Sequence, residues 1–283
     1  MKFAFFGTPQ LSADILETLK RHGLVPSVVV TNPDRPQGRK MTLTSPPVKQ
    51  WALANDIPCL QPESPSDPDF LYKLKAKSYK LFIVVAYGSI LPKELLALPT
   101  HGSLNIHYSL LPKYRGASPI ESQILADDRK TGVSILLLDE AMDHGPLVAE
   151  KEILMPTWPP TSSQLRMESN RIAGELLADV LPKWVAGDIV AKSQDHVKAT
   201  YTKKFRKSDG QLDLADDPYQ NFLKICAFES SIGTYFFTER GERRIRVSIK
   251  SAEFRENRLT ITRVVPEGRS EMAYSDFLRG FST

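Results

Sequence analysis

Asn105 and His107 stand two residues apart in the apolar run Leu104-Asn105-Ile106-His107, and a loop marked by proline and glycine follows directly. In a strand, residues two apart point to one face. An amide and an imidazole then share a face while Leu104 and Ile106 fill the other. One side chain donates a hydrogen bond, and the other holds or passes a proton. That pair suits the stabilisation of an oxyanion that develops during acyl transfer. A third polar group is wanted to orient the ring, and Asp143 is the candidate. It lies in the polar turn Asp139-Glu140-Ala141-Met142-Asp143-His144-Gly145, just after a strand-like run. Catalytic side chains of α/β folds often sit in such turns. Taken singly, each residue also has an ordinary structural reading: a turn-forming asparagine, a core histidine and a turn-capping aspartate. Their occurrence as a set, with the loop that follows, favours chemistry.

The elements that must position these groups alternate between strands and helices. Phe3 to Phe6 reads as a buried strand, Leu11, Ile15 and Leu19 recur at helical spacing, and Val25 to Val30 is a β-branched run. This opening predicts a parallel sheet with a crossover helix. Leu81 to Ala86 is uninterruptedly apolar, as in a strand buried on both faces. Helices are expected over Pro47–Asn55, Asp67–Lys77 and Pro119–Ala126. Gly132 to Leu138 and Leu147 to Leu154 read as a hairpin. Ser162 to Val185 carries a long helical pattern with a kink or stop expected at Pro182. Short β-like runs at Gly233–Phe237, Ile245–Ile249 and Leu259–Val265 imply a small barrel or sandwich. The expected organisation is a Rossmann-like α/β catalytic domain over 1–190, a basic linker over 191–207 and a small OB-like β domain over 208–283.

The chain has 283 residues, 41% hydrophobic and 25% charged, which is ordinary for a globular protein. Residues 1–190 hold equal numbers of basic and acidic side chains, so the formal excess of +4 falls in the C-terminal third. A local basic surface can attract phosphates. Cys59 and Cys226 are two isolated thiols, as expected in a reducing compartment. The opening is too short for a signal peptide and no later apolar run reaches membrane length, so a cytoplasmic protein that makes no membrane contact is expected. The chain lacks a G-x-G-x-x-G fingerprint, a P-loop, an HExxH pair, a Cys–His cluster and a G-x-S-x-G elbow. Dinucleotide, metal and serine-hydrolase chemistry therefore have no support in the sequence.

The segment Asn105-x-His107, Ser109-Leu110-Leu111-Pro112, Tyr114-Arg115-Gly116 and Pro119-Ile120, with Met142-Asp143-His144-Gly145, resembles the signature of the formyltransferases that use 10-formyltetrahydrofolate. Within that family, the match is to the branch that formylates initiator methionyl-tRNA. It is carried by Phe6-Gly7-Thr8-Pro9, by Asn32-Pro33-Asp34-Arg35-Pro36 with Gly38-Arg39, and by Val84-Val85-Ala86-Tyr87-Gly88. The branch that formylates amino sugar nucleotides with the same donor is the alternative. The resemblance implies that Asn105 and protonated His107 stabilise the oxyanion and that Asp143 keeps the ring charged and oriented. It implies a folate donor lying against Ser109, Leu110, Leu111 and Pro112. It implies tRNA contacts at Arg39 and Lys40 on a loop insertion and at Lys203, Lys204, Arg206 and Lys207 on the linker. No metal and no permanently bound cofactor are implied, because the folate is a consumed co-substrate. Arg115 reads as a fork of donors for a flat ligand. The Asn-Pro-Trp-Pro run usual in the family's C-terminal domain is replaced here by Glu229-Ser230-Ser231-Ile232.

Overall fold

The computed structural model describes residues 1–38, 41–240 and 243–280. They form two compact units. One comprises Met1–Arg115, Gly132–Ile153 and Glu168–Tyr201; the other comprises Gly116–Thr131, Leu154–Met167 and the chain from Thr202 onward.

The first unit is built on a seven-stranded sheet. Its strands are β1 (Phe3–Gly7), β2 (Val28–Val30), β5 (Cys59–Leu60), β6 (Leu81–Val85), β7 (Ser103–His107), β9 (Thr131–Leu137) and β10 (Leu147–Ile153), in the order β10-β9-β7-β6-β1-β2-β5. A separate small hairpin pairs β3 (Arg35–Gln37) with β4 (Thr42–Thr44), and the two-residue strands β8 (Arg115–Gly116) and β11 (Tyr201–Thr202) pair with each other. Strands β1, β2, β5, β6 and β7 pair in parallel, and β9 runs antiparallel to β7. All five residues of β1 and all five of β6 are buried, which explains why their sequences are continuously apolar rather than alternating. Helix α1 (Gln10–Arg21) buries Ile15, Leu16 and Leu19, and its Ser12 hydroxyl donates to the Val85 carbonyl at 2.7 Å. Helices α2 (Pro47–Ala54), α3 (Pro68–Lys77) and α4 (Lys93–Leu96) follow, with Asp67 capping α3 by accepting from the Phe70 amide. In the core the Phe6 ring lies 5.0 Å from Phe82 and meets Tyr87 edge-on.

In the second unit α5 (Pro119–Leu125) packs against α7 (Pro218–Phe228). Asp127 accepts from Trp158 Nε1 at 2.6 Å and from the Tyr219 hydroxyl at 2.9 Å. These contacts explain why residues 116–131 group with the C-terminal chain and not with their sequence neighbours. The small β domain is a four-stranded antiparallel sheet of β12 (Thr234–Arg240), β13 (Arg243–Arg255), β14 (Arg258–Pro266) and β15 (Met272–Ala273), in that order. Val247, Ile249, Ile261 and Val264 form its core with Ile225 of α7 and with Phe277 of α8 (Tyr274–Arg279).

The long helix α6 (Ser162–Ala186) passes through Pro182 without stopping there. Pro182 lies in the last turns, so few helical bonds are lost, and Leu177, Val180 and Leu181 hold that stretch buried. Both cysteines are free; Cys226 is buried, but Cys59 is only half-buried. Among the described residues no helix is long and apolar enough to cross a membrane.

Candidate active site

Strand β7 lies between β6 and β9, with Asn105 opposite both Val84 and Leu136 and His107 opposite Ser134. Leu104 and Ile106 are buried on one face, as the alternation requires. On the other face His107 is 5% exposed, while Asn105 is only half-buried. The Asn105 carboxamide makes no hydrogen bond among the described residues, so its N–H groups stay available to an incoming acceptor.

His107 is held from two sides. Its Nε2 lies 2.8 Å from the carbonyl oxygen of Tyr114. A carbonyl only accepts, so Nε2 carries a hydrogen and donates. Its Nδ1 lies 3.5 Å from Asp143 Oδ2, with both side chains largely buried. Both ring nitrogens thus face acceptors, and an imidazolium satisfies both. The two residues that bracket the ring, Tyr114 (φ +61°) and Asp143 (φ +49°), both have left-handed backbones. Such conformations cost on the order of 1–3 kcal/mol each for residues other than glycine, and they persist only where the surroundings impose them. One imposed feature is Gly145. A Cβ there would lie 1.8 Å from the Leu137 carbonyl oxygen, so only glycine lets the Asp143 turn sit this close to β9.

The loop after β7 is turned further inward than its sequence implies. Ser109 is fully buried, and its hydroxyl donates to the Lys113 carbonyl at 2.7 Å. The Ser134 hydroxyl accepts from the Leu111 amide and lies 2.7 Å from the Ser109 carbonyl. The Leu111–Pro112 peptide bond is cis, and Leu111 is 5% exposed. Leu110 packs beside Gly132, where a Cβ would come within 2.5 Å of Leu110 Cδ2. Of these four residues Leu110 and Pro112 keep partial exposure, so any ligand surface here is apolar.

Arg115 is not a fork open to a ligand. It is 1% exposed. Nε and Nη2 donate to Gln194 Oε1 at 3.2 and 2.6 Å, Nη2 also donates to His196 Nδ1 at 2.9 Å, and Nη1 reaches the Tyr201 hydroxyl at 3.3 Å. Its partners lie about eighty positions downstream, which is why the local sequence read it as exposed. His196 stacks on His144 with ring centroids 4.1 Å apart, and His144 Nδ1 lies 2.6 Å from Asp139 Oδ2.

Arg39 and Lys40 lie outside the described residues. The hairpin β3–β4 before and after them is anchored by Asp34, which accepts from Lys49 at 2.8 and 2.9 Å, from Gln61 at 2.7 Å and from the Ser45 hydroxyl at 2.9 Å. Lys49, followed by Gln61, holds the Asp34 carboxyl down at about 2. In the second unit Lys203 pairs with Asp209 at 2.9 Å and lies over the Phe205 ring. Arg206 donates its backbone N–H to Asp209 at 2.7 Å. That N–H, then Lys203, keeps the Asp209 carboxyl below the usual carboxylate range. Lys204 and Lys207 are exposed and make no ion pair among the described residues. No group of three or more His, Cys, Asp or Glu fit to hold a metal occurs among the described residues.

Residues 1–181 match the family model described as formyl transferase. The methionyl-tRNA formyltransferase of Chloroflexus aurantiacus is 41% identical, the match covering 89% of this chain and 82% of that protein. The methionyl-tRNA formyltransferase of Herpetosiphon aurantiacus is 37% identical over 99% of this chain and 98% of its own. A solved sugar N-formyltransferase from a Shewanella species superposes with a TM-score of 0.66 at 18% identity, over 90% of this chain and 99% of that one. At that identity the likeness concerns the fold alone.

Proposed function

The chain belongs to the formyl transferase family, and from that premise we propose that it moves the formyl group of 10-formyltetrahydrofolate onto the amino group of initiator methionyl-tRNA. The product is formylmethionyl-tRNA, used to begin translation in the cytoplasm. The observation that carries the chemistry is the His107 ring braced between the Tyr114 carbonyl and Asp143, on the same face of β7 as the unpartnered Asn105 carboxamide. The choice of acceptor rests on relatives 37–41% identical that bear that name.

The residues present fit a formyl carbonyl. A neutral amine attacks the formyl carbon, the former carbonyl oxygen gains negative charge, and collapse of that intermediate breaks the bond from the formyl carbon to folate N10, which takes up a proton and leaves as tetrahydrofolate. Asn105 donates one N–H to that oxygen. His107 Nε2 is committed to Tyr114 and Nδ1 faces Asp143, so the charged ring stabilises the oxyanion by its positive charge, beside the Asn105 donor. Each such donor contributes about 3–4 kcal/mol to lowering the barrier. Asp143, beside Nδ1, orients the ring and takes the proton shed by the amine, directly or through one water. The folate donor lies along Leu110 and Pro112, with Ser109 and Leu111 shaping that wall from beneath. Arg39, Lys40, Lys203, Lys204, Arg206 and Lys207 neutralise tRNA phosphates, with Lys204 and Lys207 the least compensated of those whose side chains are described.

The test offers the purified protein 10-formyltetrahydrofolate with methionyl-tRNA or with an amino sugar nucleotide. Formylated methionyl-tRNA is the expected product. His107→Ala is expected to lower kcat about 10²–10³-fold while methionyl-tRNA binding is kept. Transfer to the sugar nucleotide and none to the tRNA would overturn the proposed acceptor.

A further inference from the structure

Gln194 is 5% exposed and uses both ends of its carboxamide. Nε2 donates to the Asp143 carbonyl at 2.9 Å and to the Gly145 carbonyl at 2.7 Å. Oε1 accepts from Nε and Nη2 of Arg115. Arg115 is the residue directly after Tyr114, whose carbonyl holds His107 Nε2. Asp143 is the residue that faces His107 Nδ1. One amide thus fastens the two loops that grip the imidazole from opposite sides. Its own place is fixed in turn. Lys192 and Leu147 exchange backbone hydrogen bonds at 2.7 and 2.8 Å, and the Arg115 amide donates to the Thr200 carbonyl at 2.8 Å.

We propose that Gln194 is a positioning residue for formyl transfer: it sets the distance between Asp143 and His107 by clasping the Asp143–Gly145 turn to the Tyr114–Arg115 loop. Only a primary amide does this. The turn presents two carbonyls, which need donors, and Arg115 presents two N–H groups, which need an acceptor. A carboxylate satisfies Arg115 but faces the two carbonyls with no hydrogen to give. An apolar side chain of the same size fails at both ends and leaves a buried guanidinium short of an acceptor, which is costly. Misplacing a catalytic group by about 1 Å costs up to about 10²-fold in rate.

This inference rests on the formyl-transfer reading, and the experiment keeps the two apart. Gln194→Glu and Gln194→Leu are compared with the unaltered protein in formylation of methionyl-tRNA, in thermal unfolding and in amide hydrogen exchange over residues 139–146. Gln194→Glu is expected to lower kcat about 10–100-fold, with both KM values changed less than about threefold and a smaller loss of Tm than Gln194→Leu, because Arg115 stays paired. Gln194→Leu is expected to lose kcat similarly and Tm as well. In both variants exchange over 139–146 rises at least about tenfold, while exchange over β1 and β6 is unchanged. A Gln194→Glu protein with full kcat, or with unaltered exchange in the turn, overturns the proposal. Failure of the unaltered protein to formylate methionyl-tRNA overturns the functional reading instead, and the exchange measurement still decides whether Gln194 holds the turn.

Discussion

Two excursions from the central sheet are restrained in opposite ways. The Asp143 turn is braced along its length: Gly145 lets it press on β9, Gln194 holds two of its carbonyls, and His144 stacks on His196. The β3–β4 hairpin is fixed near its base, where Asp34 gathers Lys49, Gln61 and Ser45, and among its described residues Met41 and Leu43 are two-thirds exposed. On the proposed function the Asp143 turn transfers a proton, which tolerates errors of only a fraction of an ångström, and the turn is over-determined and accepts a left-handed aspartate. On the proposed function the hairpin meets a macromolecule, a role that rewards reach, and its described residues Met41 and Leu43 face solvent.

The largest expected effect sharpens the contrast at the turn. Asp143→Asn keeps the shape but removes the charge beside Nδ1, and steady-state formylation should show kcat down about 10²–10³-fold with KM for both substrates little changed. Gly145→Ala attacks geometry alone. The 1.8 Å approach to Leu137 forces the turn outward, and kcat should fall about 10²-fold with a lower Tm by calorimetry. Asp34→Asn should do the reverse: KM for methionyl-tRNA rises several-fold while kcat stays within about twofold. A large kcat loss there would erase the distinction between the two excursions.

Asp34 also carries a pH signature. Its folded carboxyl titrates at about 2, below the ordinary value of 3.8. The anion's contribution to stability is therefore complete above the ordinary value and is lost as pH falls toward 2. The Tm gap between the unaltered protein and Asp34→Asn should be constant at neutral pH and shrink between pH 4 and 2. The smallest effects belong to the basic segment. Lys204→Ala and Lys207→Ala should each reduce the salt dependence of tRNA binding by a slope of about 1, and Lys203→Ala by less, because Asp209 already partners it.

The strands and the placing of Asn105, His107 and Asp143 were legible in the sequence for simple reasons. β1 and β6 are buried on both faces, so their residues are apolar without a break. The two-residue period of β7 puts Asn105 and His107 together, and the polar run after β9 marks the turn that holds Asp143. What supports those groups left no such trace. Tyr114 acts through its backbone carbonyl, which no side chain announces. Gln194 and Arg115 meet across seventy-nine positions, and neither sits in a periodic pattern. Helix α7 has a readable start, with Asp217 accepting from the Gln220 amide and Pro218 in the first turn, but its apolar residues run straight on from a basic stretch into short β-like segments.

The segment common to the wider family stops at residue 181, yet the clasp on the imidazole lies at Gln194 and is itself seated by Lys192 and Thr200. A polypeptide shortened to that common segment would retain Asn105, His107 and Asp143 and lose the amide that joins the two loops around the imidazole. On the proposed clasp, a version of the chain that keeps the imidazole in place must extend through Tyr201, whose hydroxyl Arg115 also reaches.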